Sequence, residues 1–341
     1  MTAEFPPLIP TEDFWSRQAN AQKHSLACAP YGISTTIASN HAGILTAAQL
    51  SARRYSQANE AGGQPIRMQI VIRQESSAPP PADLADRLVY SGSGDWITLS
   101  AGDWGHGFAQ LHTREVCIFL SPSLAADVRF VSRYFIDHYV LNLILAEWAM
   151  LHASCVIDPG GRDLIVMVAT HNTGKSTTAL RLVRAGYTFL ADGMALLKFD
   201  GETPIVGGYP IGEVKLRDDA LASFPEYAGQ TVRVREQNKT VIDLRAAHPD
   251  RVAESLVTPA SIHICFVERQ ASPHTYLDPI NAGEVLPILA GHTVYWNAES
   301  ALGHNTAALH HLLQIAKLYR LRIGSDADNL IAAIDGLSRR A

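Results

Sequence analysis

Residues 164–177 read Leu164-Ile165-Val166-Met167-Val168-Ala169-Thr170-His171-Asn172-Thr173-Gly174-Lys175-Ser176-Thr177. The opening run from Leu164 to Ala169 is apolar at every position, the pattern of a central strand buried on both faces. Small and polar residues follow, and from Lys175 to Ala185 the pattern turns helical, with Ala179, Leu180 and Val183 as the apolar face. Gly186 stands where a glycine ends a helix. Positions 169–176 match the P-loop pattern G-x-x-x-x-G-K-[ST], except that Ala169 replaces the first glycine.

Each residue type in that loop has a physical reason. A loop wrapped round a phosphate points backbone N–H groups inward, and the following helix adds the positive end of its dipole. Gly174 takes dihedrals forbidden to other residues, Lys175 brings a point charge to the β- and γ-phosphates, and Ser176 offers a hydroxyl to Mg²⁺. Alanine at position 169 is tolerated if its φ is negative. The competing reading is an ordinary helix N-terminus with Ser176 as its cap.

The flanking elements extend the pattern. Ala153–Ile157 reads as an apolar strand, Asp158-Pro159-Gly160-Gly161 as a turn, and Tyr187–Ala191 as a buried strand ending at Asp192. A carboxylate at the end of such a strand lies beside the mouth of the loop, where a metal-side or catalytic aspartate belongs; it also reads as the first residue of an Asp-Gly turn with Gly193. His152, at the start of the first strand, reads either as a structural or as a catalytic histidine.

At 341 residues the chain is long enough for one or two domains. A net charge of −5 with no long basic run argues against a nucleic-acid or anionic-membrane binder. Cys28, Cys117, Cys155 and Cys265 form no C-x-x-C pair, which fits neither a zinc framework nor a disulfide scaffold and suits a cytoplasmic setting. Met1–Pro10 lacks the charged and apolar regions of a signal peptide. The segment Tyr134–Leu151 is expected to be one helix, too polar to cross a membrane because of Asp137, His138, Asn142 and Glu147.

Upstream, Ile66–Arg73 alternates with period two, Trp96–Ser100 and Glu115–Leu120 read as strands, Ala47–Ala58 as a helix, and Pro79-Pro80-Pro81 as part of a surface loop. Residues 1–133 are therefore expected to form an α+β module without a catalytic motif, and residues 134–341 the nucleotide-binding domain. Near the C-terminus Leu309, Leu312, Leu313 and Ala316 recur at helical spacing, and Ser325 with Asp328 predicts a cap for a last helix through Ile334.

The run Leu151-His152-Ala153, the Gly174-Lys175-Ser176 loop, the helix end Arg184-Ala185-Gly186 and the strand end Leu190-Ala191-Asp192, 17 residues after Lys175, together resemble the HPr-kinase-like family. Tyr209-Pro210, Ile262–Glu268 and Tyr319-Arg320-Leu321-Arg322 are similar more loosely. The resemblance implies an α/β fold (α+β overall): a mixed-sheet catalytic domain of the HPr-kinase/PEP-carboxykinase-like P-loop type beside the smaller N-terminal module.

It further implies an ATP- and Mg²⁺-dependent serine kinase that moves a γ-phosphate to a hydroxyl of a small molecule or peptide. Asp192, His152 and Lys175 would be catalytic. Thr170, His171, Asn172, Thr173, Gly174, Lys175, Ser176 and Thr177 would hold nucleotide, with Ser176 and Asp192 on the metal. The family's second aspartate is Gly193 here, so the alternative is a nucleotide-binding accessory protein with weakened chemistry; a hydrolysing NTPase ranks third. The polar segment carrying Arg233, Arg235 and Lys239 reads either as a lid over the nucleotide or as a solvated edge strand. Glu213 reads as a surface turn residue or a second metal-side carboxylate. His310 and His311 face different ways on one helix and carry no metal reading. No nucleic-acid or membrane partner is expected, and homo-oligomerisation is left open.

Overall fold

The computed structural model describes residues 23–58, 62–73, 78–170, 173–227, 231–234, 239–293 and 299–338. It is a mixed α/β structure whose chain divides into two compact units: residues 1–29, 33–52 and 61–143, and residues 30–32, 53–60 and 144–341. Short segments of the N-terminal third thus belong to the second unit. Met1–Pro10 lies outside the described residues, and among those described no helix is long and apolar enough to cross a membrane.

The first unit is built on a seven-stranded mixed sheet in the order β1-β2-β3-β7-β6-β5-β4. Its strands are β1 (His24–Cys28), β2 (Ile33–Ser39), β3 (Gly62–Ile72), β4 (Val89–Ser93), β5 (Trp96–Ser100), β6 (Gly105–Gln110) and β7 (Glu115–Leu120). In β3 the period-two pattern holds where Ile66, Met68 and Ile70 are buried and Arg67 is exposed between them. Helix α1 spans Gly43–Ala52, earlier than the sequence suggests. Residues 78–81, including the three prolines, carry no regular structure.

The expected helix over Tyr134–Leu151 is divided. A π-helical turn at Val131–Ile136 leads into α2 (Asp137–Ile144), and Ala149–Leu151 is strand β8, paired with β12 (Met194–Asp200). A short apolar run has no helix-or-strand preference by periodicity, and the open ladder edge of β12 captures it.

The second unit is built on a six-stranded sheet in the order β11-β9-β10-β17-β19-β18. These strands are β9 (Ser154–Ile157), β10 (Asp163–Val168), β11 (Thr188–Asp192), β17 (Ser261–Arg269), β18 (Tyr276–Pro279) and β19 (Lys317–Ile323). Two three-stranded sheets accompany it: β8 with β12 (Met194–Asp200) and β13 (Thr203–Tyr209), and β14 (Glu213–Arg217) with β16 (Lys239–Asp243) and β15 (Thr231–Val234).

Strand β10 is buried throughout and feeds both faces. On one face Ile165 and Met167 join Ala179, Leu180, Leu182 and Val183 of helix α3 (Lys175–Arg184), with Leu330, Ile334 and Leu337 of the last helix. On the other face Leu164, Val166 and Val168 meet Leu309, Leu312 and Leu313 of the helix Glu299–Ile315. Helix α3 stops where the sequence places its end: Gly186 has φ +105°, its N–H donates to Val183 O at 3.0 Å, and Tyr187 N–H donates to Leu182 O at 3.0 Å.

The final helix, Ala327–Ser338, is capped by Asp326 rather than by Ser325. Asp326 Oδ1 accepts from Asp328 N at 2.9 Å and from Asn329 N at 3.5 Å. Both residue types cap well, so the sequence alone leaves that choice to the backbone.

Candidate functional site

Strand direction assembles the site. β17 and β19 run parallel to β10, while β9 runs antiparallel to both β10 and β11. So β10, β11, β17 and β19 all point one way, and Val168, Asp192 and Arg269 end at one edge of the sheet. β9 points the other way, so its first residue, Ser154, lies at that same edge, with His152 two residues before it. The carboxyl edge of such a sheet is where loops and helix N-termini collect polar groups.

The loop leaving β10 fits its glycine requirement. Gly174 has φ +106° and precedes α3, which opens on Lys175. Among the described non-glycine residues only Tyr31 and Arg114 have positive φ, so Ala169 meets the condition for replacing a glycine. Thr173 Oγ1 donates to Thr170 O at 2.6 Å, and the two threonine hydroxyls lie 3.0 Å apart. His171 and Asn172 lie outside the described residues. Thr177 follows within the first turn of α3 and is half-buried.

Lys175 Nζ donates to Ala169 O at 2.9 Å, so the ammonium is folded back across the loop. Burial lowers its pKa; the Asp192 carboxylate opposes that shift and Lys239 adds to it. A half-desolvated ammonium beside a second cation is an environment that a bound anion would relieve.

Asp192 is the centre of the arrangement. It is only 5% exposed, and three elements donate to it. Oδ1 accepts from Ser154 Oγ of β9 at 2.5 Å and from Ser176 Oγ of α3 at 2.9 Å. Oδ2 accepts from the backbone N–H of Lys215 in β14 at 3.1 Å. Ser176 and Asp192, predicted to act together, are thus joined directly. Serine and aspartate oxygens are the hard donors that Mg²⁺ takes alongside substrate phosphates. Among the described residues no group of three or more His, Cys, Asp or Glu side chains would hold a metal by itself.

A β-bulge puts Asp192 where it is. Between Phe189 and Ala191 the β9–β11 register shifts, so that Asp192 pairs with Ser154. Without the extra residue the register begun at Thr188–Ile157 would pair Asp192 with Ala153, and its side chain would project from the other face. The bulge is packed from behind: a Cβ on Gly208 would lie 1.9 Å from Leu190 O. Gly208 is held there by its N–H donating to Ser56 Oγ at 2.9 Å and its carbonyl accepting from Tyr31 Oη at 2.7 Å.

Gly193 follows with φ +101°, and its N–H donates to Ala153 O at 3.0 Å. This is left-handed backbone that an aspartate rarely adopts. His152 is half-buried at the same edge.

Two residues of this edge were missing from the sequence reading. Ser154 is fully buried on an otherwise apolar strand, and a buried hydroxyl of that kind was the signal available. Arg269, at the end of β17, donates from Nε to Thr173 O at 3.2 Å and depresses the pKa of Arg181, whose own burial is the larger cause. Its place beside the loop follows from parallel pairing and has no local sequence signal.

The remaining expectations resolve by position. Glu213 Oε1 is 3.1 Å from Arg54 Nε, an ion pair. Lys239 lies on β16, where it pairs with Arg217 and Val234. Arg233 lies on β15, and Arg235 falls outside the described residues. His311 stacks on Phe199 with ring centres 4.1 Å apart, and its Nε2 is 2.9 Å from Glu202. Cys117, Cys155 and Cys265 are buried and Cys28 is half-buried, all as free thiols.

No protein-family model and no curated protein matches the chain. A solved structure described as the Hpr(Ser) kinase/phosphatase from Coxiella burnetii is similar at 14% identity, over 56% of this chain and 94% of that one, with a TM-score of 0.27.

Proposed function

We propose that the Ala169–Ser176 loop is a P-loop that binds ATP with Mg²⁺, and that the protein is a kinase acting on a serine-type hydroxyl of a small molecule or peptide. The observation that carries this reading is the direct bond from Ser176 to Asp192 beside Lys175, at the carboxyl edge of the sheet. In this reading Lys175 leaves the Ala169 carbonyl and reaches the β- and γ-phosphates, while backbone N–H groups at the start of α3 line the phosphate. Ser176 and Asp192 hold Mg²⁺, which when bound neutralises charge on the phosphates. The acceptor's proton would pass to His152, half-buried at this edge, or to Asp192 where that carboxylate serves as base in place of metal ligand.

The second reading is a nucleotide-binding accessory protein with weakened transfer. Gly193 favours it, because the position of the family's second aspartate is occupied by left-handed backbone.

Calorimetry of ATP with Mg²⁺ tests the nucleotide site on the wild type and on Lys175→Ala. The expected loss is about 10- to 100-fold in affinity, the size of one charge-assisted hydrogen bond. A folded wild type that binds no nucleotide sinks both readings. Binding without transfer to any hydroxyl acceptor selects the second.

A further inference from the structure

We infer that Ser154 is the positioning residue of this site: its hydroxyl fixes the Asp192 carboxylate in the orientation that meets Ser176. The inference rests on the nucleotide-site reading and extends it to a residue outside the loop and outside the strand that carries the aspartate.

The geometry supports a dedicated role. Ser154 is fully buried, and its strand is otherwise Cys155, Val156 and Ile157. A hydroxyl in such a setting costs free energy unless it is bonded, and its bond goes to Asp192 Oδ1 at 2.5 Å. It stands directly opposite Asp192 in the β9–β11 ladder, a pairing created by the bulge. The same oxygen accepts from Ser176 at 2.9 Å, and the backbone of Lys215 holds the other oxygen at 3.1 Å. The carboxylate is therefore pinned at both oxygens, and of its two hydroxyl donors Ser154 is fully buried while Ser176 is half-buried. Groups that orient a metal-side ligand in this way contribute through geometry, without touching substrate.

The test is ADP binding by calorimetry, with saturating Mg²⁺ and separately in EDTA, on the wild type, Ser154→Ala and Ser154→Cys. Thermal denaturation confirms that each variant is folded. The quantity read is the affinity gain that Mg²⁺ confers. In Ser154→Ala that gain is expected to fall by about 10-fold or more, while affinity in EDTA stays within about twofold of wild type. Ser154→Cys keeps a weak donor of similar size and falls between the two, and it carries the test if the alanine variant does not fold.

A wild-type Mg²⁺ gain in Ser154→Ala overturns the inference. So does an equal loss with and without Mg²⁺, which marks a purely structural role. Both results leave the nucleotide site standing. A folded wild type that binds ADP under neither condition removes the nucleotide reading itself, and the inference with it.

Discussion

At the scale of single residues, Asp192 shows how much chemistry depends on neighbours that are distant in sequence. Its three donors come from β9, α3 and β14, so its carboxylate is oriented before any ligand arrives. Gly193 shows the opposite dependence, on its own backbone. With φ +101° and nothing within 4 Å of an added Cβ, it has room for a side chain but not the right dihedrals. Introducing by Gly193→Asp the second aspartate of the HPr-kinase-like pattern is therefore expected to cost about 1–2 kcal/mol of stability without raising phosphoryl transfer. Urea denaturation and a transfer assay on the same preparation check both halves. A variant that is as stable as wild type and transfers faster would show that the loop accommodates the pair.

At the scale of elements, the bulge in β11 is the device that decides the site. One extra residue turns Asp192 toward Ser154, and Gly208 lets β13 lie against the carbonyl that the bulge exposes. No side chain fits there, since the obstructing atom is backbone. Gly208→Ala is expected to lose about 3 kcal/mol or more, because either β13 retreats or the bulge closes. Its effect on nucleotide binding should exceed that of an equally destabilising change in the first unit. Chemical denaturation paired with ADP calorimetry measures this, and an alanine variant of wild-type stability would contradict the packing argument. The loop, α3 and its glycine end were legible from the sequence because each is written in consecutive residues. The bulge was not, since Leu190 and Ala191 are both apolar and buried and no alternation marks the slip.

At the scale of the whole molecule, acid sensitivity follows from a buried histidine that takes no part in the proposed chemistry. His263, in β17 of the second unit, is fully buried with neither ring nitrogen hydrogen-bonded. Its Nε2 is 3.8 Å from Asp163 Oδ2, too far for a bond. Burial lowers its pKa below 6.5; Asp163 and Asp158 oppose the shift and Lys317 adds to it. A histidine whose folded pKa is depressed binds protons more readily when unfolded. Its contribution is therefore present above about pH 6.5, the unfolded value, and lost as the pH falls from there through the lowered folded pKa. In the first unit His138, pushed down to about 4 by burial, acts in the same sense. The urea midpoint is expected to fall between pH 7.5 and pH 5.5, and His263→Phe should flatten part of that slope. An unchanged slope in the variant would assign the acid sensitivity to other groups.

The sequence by itself determined the strand–loop–helix run from Leu164 to Arg184, the helix end at Gly186 and the buried strand ending at Asp192. These depend on periodicity, turn residues and end signals that act within about ten residues. Only the tertiary structure decided that Ser154 and Lys215 converge on Asp192, that Arg269 lies against the loop, and that Ala149–Leu151 is a strand. Each of these is a pairing between segments far apart in the chain. A strand's partner and register are set by what else is buried with it, and its own residues do not carry that information.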